Sequence, residues 1–141
     1  MTRRSGLLLC LILNAGLAAC RPAASPPLDV FPETVAGVWR RTALRDVPLS
    51  EAPSFAPRGI IRHIRSAAYD GPGKIEARVY EAAPDVGLEL IQHWRPSADT
   101  VIVYDQKHFQ YVIAVKWQSA DRKALQEFVS AIEGRLISQG R

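Results

Sequence analysis

Both cysteines of this 141-residue chain, Cys10 and Cys20, fall within its first 20 residues. Everything after position 20 must therefore fold without a disulfide, on a packed apolar core alone. The composition allows it: 48% apolar and 23% charged residues are ordinary for a globular domain. The segment that holds the cysteines reads LLLCLILNAGLAACRPAASPP. Arg3 and Arg4 precede it as a short positive region. Gly6 to Leu13 is an apolar run of about eight residues, too short to cross a bilayer of about 30 Å as a helix. Small residues follow at Ala15, Gly16, Ala18 and Ala19. These are the physical parts of a cleaved secretory signal peptide covering residues 1–19.

The four residues Leu17-Ala18-Ala19-Cys20 resemble the lipobox of bacterial lipoprotein precursors. The resemblance implies that a dedicated signal peptidase recognises Leu17, Ala18 and Ala19 and cuts before Cys20, whose sulfur carries diacylglycerol. It extends over leader length and the proline-containing stretch behind Cys20. Cys10 is then one more apolar leader residue, lost on processing, so a disulfide or metal pair between the cysteines does not outlast the cut. Each buried CH₂ of an acyl chain contributes about 0.8 kcal/mol, and two or three chains on one residue hold a protein at the membrane effectively without release. In Gram-negative members of that family an Asp just after the cysteine commonly marks inner-membrane retention. Arg21 stands there, which implies the outer membrane, facing the periplasm, if the organism has one.

Removal of residues 1–19 leaves 122, enough for one domain with a real core. Two of the 18 Lys and Arg leave with the leader, so 16 stand against 14 acidic side chains, a net charge of +2. That balance, with arginines interleaved among Asp and Glu, lacks the clustered basic footprint of a nucleic-acid binder. Residues 20–34 read as the lipidated cysteine and a Pro-rich tether, RPAASPPLDVFPET, in extended polyproline geometry at about 3.1 Å per residue.

The folded domain is expected over residues 35–141. Strand character runs from Val38 to Leu44, followed by a long loop, PLSEAPSFAPRG. A hairpin follows around Asp70-Gly71-Pro72-Gly73, where glycine tolerates positive φ and proline fixes its own. Beyond it Ile75, Ala77 and Val79 alternate with Glu76, Arg78 and Tyr80, the period of a strand with one buried face. PDVGLELIQHWR predicts a helix of about three turns, with Pro84 in its first turn, Asp85 at the positive end, a stripe of Val86, Leu90 and Trp94, and Pro96 as its stop. Gly87 weakens it by about 1 kcal/mol relative to Ala. A second hairpin runs through TVIVYD and QYVIAVKW with its turn near Gln106 to His108. A closing amphipathic helix has Ser119 as N-cap, Asp121 against the helix dipole, and Leu125, Phe128, Val129, Ile132 and Leu136 as its stripe. The order β-ββα-ββα predicts an α+β fold: an antiparallel sheet of about five strands, two helices on one face, and a partly open groove on the other.

No motif points to catalysis, and no cofactor motif is present. His63, His93 and His108 are far apart and fall on a strand, a helix and a turn, without the close-spaced pair usual in zinc sites. No Gly-x-Ser-x-Gly elbow appears, and DGPG lacks the spacing and lysine of a phosphate loop. Arg40, Arg41, Arg45, Arg58, Arg62 and Arg65 gather in the first third of the body, either as solvated edges or as a face that meets anionic headgroups or a polyanionic envelope partner. Trp39, Trp94 and Trp117 read as core or sheet-face residues. The reading favours a lipid-anchored, non-catalytic interaction module. A small-ligand carrier or sensor using the exposed sheet face is the alternative; a closed apolar cavity of roughly several hundred Å³ would mark the carrier and a flat sheet face the module.

Overall fold

The computed structural model describes residues 29–139; the leader, the lipobox residues Leu17, Ala18, Ala19 and Cys20, and the tether as far as residue 28 lie outside them. The body is α+β. Its strands are β1 (Thr34–Val35), β2 (Trp39–Val47), β3 (Ile61–Asp70), β4 (Lys74–Ala82), β5 (Thr100–Tyr104) and β6 (Tyr111–Gln118), with helices α1 (Gly87–His93) and α2 (Arg122–Gln139). They form one antiparallel sheet in the order β1-β2-β3-β4-β6-β5. Six strands stand where about five were expected. The extra one is the two-residue β1, folded onto β2 through Ala36 and Gly37, both at positive φ.

The expected hairpins are present. Lys74 pairs with Asp70 across the 71–73 turn, and Val101 pairs with Val115 in the second hairpin. The second turn is tied by the buried Asp105, whose Oδ1 accepts the N–H groups of Gln110 at 2.9 Å and Tyr111 at 2.8 Å. Across β3, β4 and β6, one set of side chains (Ala67, Tyr69, Ile75, Ala77, Val79, Ile113, Val115) points to one face. There α2 lays down Leu125, Phe128, Ile132 and Leu136. Phe128 meets Trp39 and Tyr69 edge-on, with centroids at 5.8 and 5.1 Å. Each such buried side chain contributes about 2 kcal/mol. Trp39 Nε1–H also donates to the Ala124 carbonyl at 3.2 Å, fixing the end of the sheet to the start of α2.

The second helix is not on that face. Leu90 of α1 packs with Ile64, Tyr80, Val112 and Ala114, whose positions alternate with the first set and so point to the opposite side of the sheet. The expectation of two helices on one face is therefore corrected: α2 covers one side, and α1 with the loop around Ala52, Ala56 and Ile60 covers part of the other.

Three local readings change as well. The first helix has two turns, not three. Asp85, at φ 67, cannot be helical; its N–H donates to the His108 carbonyl at 2.6 Å. Gly87 then starts the helix, its N–H 2.7 Å from the Phe109 carbonyl, where any Cβ would collide with that same oxygen. The glycine read as a weakness is what allows this approach. In α2 the cap is Asp121 rather than Ser119: Asp121 Oδ2 accepts the Ala124 N–H at 3.1 Å, whereas Ser119 has φ 54. The body also begins before Val35. Val30 and Phe31, expected in the tether, are each 1% exposed and join the α2-side core. Tyr69 Oη–H donates to the Pro32 carbonyl at 2.7 Å and Arg41 Nη1–H to that of Phe31 at 2.6 Å.

Candidate functional site

The partial cover on the α1 side leaves half a sheet face open. Its floor is set by register: Lys74 lies opposite Gln118, Glu76 opposite Lys116, Arg78 opposite Ala114, and Lys116 opposite Thr100. Ser66, Ala68 and Ala114 are small, so the sheet sinks between the longer ionic side chains around them. The result is a hollow of about 750 Å³ bordered by Asp70, Lys74, Glu76, Asp99, Lys116 and Gln118, with Thr42 and Ala68 on the β2–β3 side. A smaller hollow of about 300 Å³ shares Glu76 and Lys116 and ends against Tyr80 and Trp94. A third shares Asp70, Lys74 and Gln118 and reaches Gly71 and Gly73 at the hairpin end. Shared borders make these one trough along β4 and β6. From Lys74 to Tyr80 it runs about 20 Å, six strand rises of about 3.3 Å.

The trough is ionic at its centre and aromatic at one end. Lys74, Arg78 and Lys116 stand against Asp70, Glu76 and Asp99, so the charges balance. Arg78 Nε–H donates to Glu76 Oε1 at 3.1 Å, and Lys116 Nζ lies 3.9 Å from Asp99 Oδ2. The Asp99 carboxyl is held below its ordinary range chiefly by the hydroxyl of Ser97, then by that of Thr100, with Lys116 adding to both. At the far end Trp94 is half-buried, its ring 5.0 Å from Phe55 and 5.7 Å from Tyr80 by centroid. Burial pushes the Tyr80 phenol up, so it stays protonated at neutral pH. These groups can grip and orient a polar chain and stack against one end of it.

The arginines read from the sequence do not form one face. Arg41 and Arg65 point to the α2 side of the sheet, Arg40 and Arg45 to the other. Arg41 is used on the Phe31 carbonyl, Arg45 lies 3.5 Å from Glu51, and Arg65 Nε–H donates to Asp46 at 3.3 Å. That last contact, first, holds the exposed Asp46 carboxyl below its usual range. Arg58 and Arg62 are exposed. The histidines stay apart: His63 Nε2 is 3.1 Å from Asp46, His93 Nδ1 is 2.7 Å from the Glu89 carbonyl, and His108 lies in the β5–β6 turn. Among the described residues no group of three His, Cys, Asp or Glu could hold a metal ion, and no helix is long and apolar enough to cross a membrane.

A groove was expected opposite both helices; the open stretch instead lies beside α1, and its lining residues were not foreseen. Lys74, Glu76 and Arg78 were legible as the polar side of β4; their meeting with Lys116, Gln118 and Asp99 depends on the β4–β6 pairing, which joins segments about 40 residues apart. Comparison with protein-family models, curated proteins and solved structures finds no match.

Proposed function

We propose that this protein is a lipid-anchored module of the bacterial cell envelope that holds an extended partner in its trough and performs no chemistry on it. The anchor is the diacylglycerol implied on Cys20, and Arg21 favours the outer membrane, facing the periplasm, in a Gram-negative cell. The observation that carries the reading is the trough itself: it is open along its length, balanced in charge and floored by paired ionic side chains. A carrier for a small apolar ligand calls for an enclosed apolar cavity instead.

The anchor is tested by fractionating cells that express the wild type or Cys20→Ala. The wild type should stay with carbonate-washed membranes, and its N-terminal peptide should carry the mass of acyl chains. Cys20→Ala should be released or retained as uncut precursor. A wild-type product with a bare thiol at Cys20 overturns the anchor; the trough is tested separately below.

A further inference from the structure

The trough combines three features that together narrow its occupant. First, it lies on the face of the sheet, not along an edge. The backbone N–H and C=O groups of its floor strands β4 and β6 are already paired with their neighbours, so an added peptide strand finds no ladder there. Recognition has to come from side chains. Second, its charges cancel. A polyanion such as nucleic acid or an anionic lipid surface needs a net positive footprint, and Asp70, Glu76 and Asp99 oppose one. Third, one end is an aromatic wall, with Trp94 lining the hollow and held by Phe55 and Tyr80.

We infer that the trough binds a glycan strand, one sugar ring stacked on Trp94 and the following rings lying over Glu76, Lys116 and Lys74; this assignment rests on the binding-module reading. Sugar rings present a face of C–H bonds, slightly positive, that matches the negative face of an indole ring. Their hydroxyls and amide groups donate and accept together, and a floor of alternating carboxylates and cations answers both roles with charge-assisted hydrogen bonds. Glu76 accepts from a hydroxyl while Arg78 and Lys116 donate to its neighbours. At about 20 Å the trough takes several linked rings in a row.

The test is an NMR titration of the full chain in detergent micelles with soluble oligomers of β-linked N-acetylglucosamine and, in a second arm, of β-linked glucose. At least one oligomer should give saturable shifts centred on the Trp94 indole and on the amides of Glu76 and Lys116. Trp94→Ala should weaken binding about tenfold, the scale of one aromatic contact. Because Trp94 also packs against Tyr80, Glu76→Gln is the companion variant: its side chain is exposed, so folding is preserved, and binding should fall about threefold. Absence of saturable shifts with both oligomers overturns the inference, as does binding that neither substitution weakens. A third arm titrates a peptide of alternating Lys and Glu; binding of that peptide alone also overturns the inference and leaves the module reading standing with a polypeptide partner.

Discussion

On the side of the sheet that carries Ile75, Ala77 and Val79, the 18-residue α2 closes the core with Phe128, Ile132 and Leu136 fully buried. On the side that carries Glu76, Arg78 and Tyr80, the cover is a seven-residue α1 and an irregular loop, and it stops at Tyr80 and Trp94. Both sides are built by the same strands with the same period of two. What separates them is the even positions of β4 and β6: Tyr80, Val112 and Ala114 are apolar where α1 sits, and Lys74, Glu76, Lys116 and Gln118 are polar where, among the described residues, no element packs. Apolar burial is concentrated on one face, and part of the other stays open.

Four substitutions test that division, the largest effect first. Phe128→Ala removes the ring between Trp39 and Tyr69 and should cost about 3–5 kcal/mol in urea unfolding, a large share of the about 5–15 kcal/mol that holds a domain folded. Leu90→Ala should cost about 2–3 kcal/mol and speed amide exchange in α1 well before α2. Equal exchange in both helices would show that the two faces melt as one unit and break the comparison. Gly87→Ala should destabilise by about 1–2 kcal/mol, because the new methyl meets the Phe109 carbonyl. Helix propensity alone gives the opposite sign, about 1 kcal/mol of stabilisation, so a thermal melt decides between the two causes.

The smallest effect is read against pH. Burial raises the Tyr69 phenol above its ordinary value of 10.0, and burial moves Tyr80 and Tyr111 the same way. An acid whose folded value lies above its unfolded one lends stability that is complete below the unfolded value and is lost as pH climbs toward the folded one. The wild type should therefore weaken above about pH 10. Tyr69→Phe should cost about 1 kcal/mol at neutral pH, through the lost bond to the Pro32 carbonyl, and should show a shallower alkaline decline. An unchanged alkaline slope would place the titration at Tyr80 or Tyr111 instead.

Elements with strong local periodicity were legible in the sequence. The β3–β4 and β5–β6 hairpins and α2 announce themselves through alternation, turn residues and a helical stripe, all of which act between near neighbours. What stayed hidden depends on partners far along the chain. The stripe on α1 says that Leu90 is buried but not on which side of the sheet, since that is set by the route from β4 through the Phe109 approach. Pro22, Pro26, Pro27 and Pro32 made the whole 21–34 stretch read as extended, and the apolar pair Val30-Phe31 between two of them was the signal that its end folds back into the core. The arginine cluster left two readings open, solvated edges or one basic face, and alternation along β2 and β3 sends Arg41 and Arg65 to one side and Arg40 and Arg45 to the other.

The way residues 29–32 enter the body has a mechanical consequence. The Asp29 carbonyl accepts from Arg135, at 3.2 Å, and from Gln139, both on the last turns of α2, while Val30 and Phe31 sit beneath that helix. A pull on the chain at Asp29 therefore meets α2 and the core beneath it first, on the side of the sheet away from the trough.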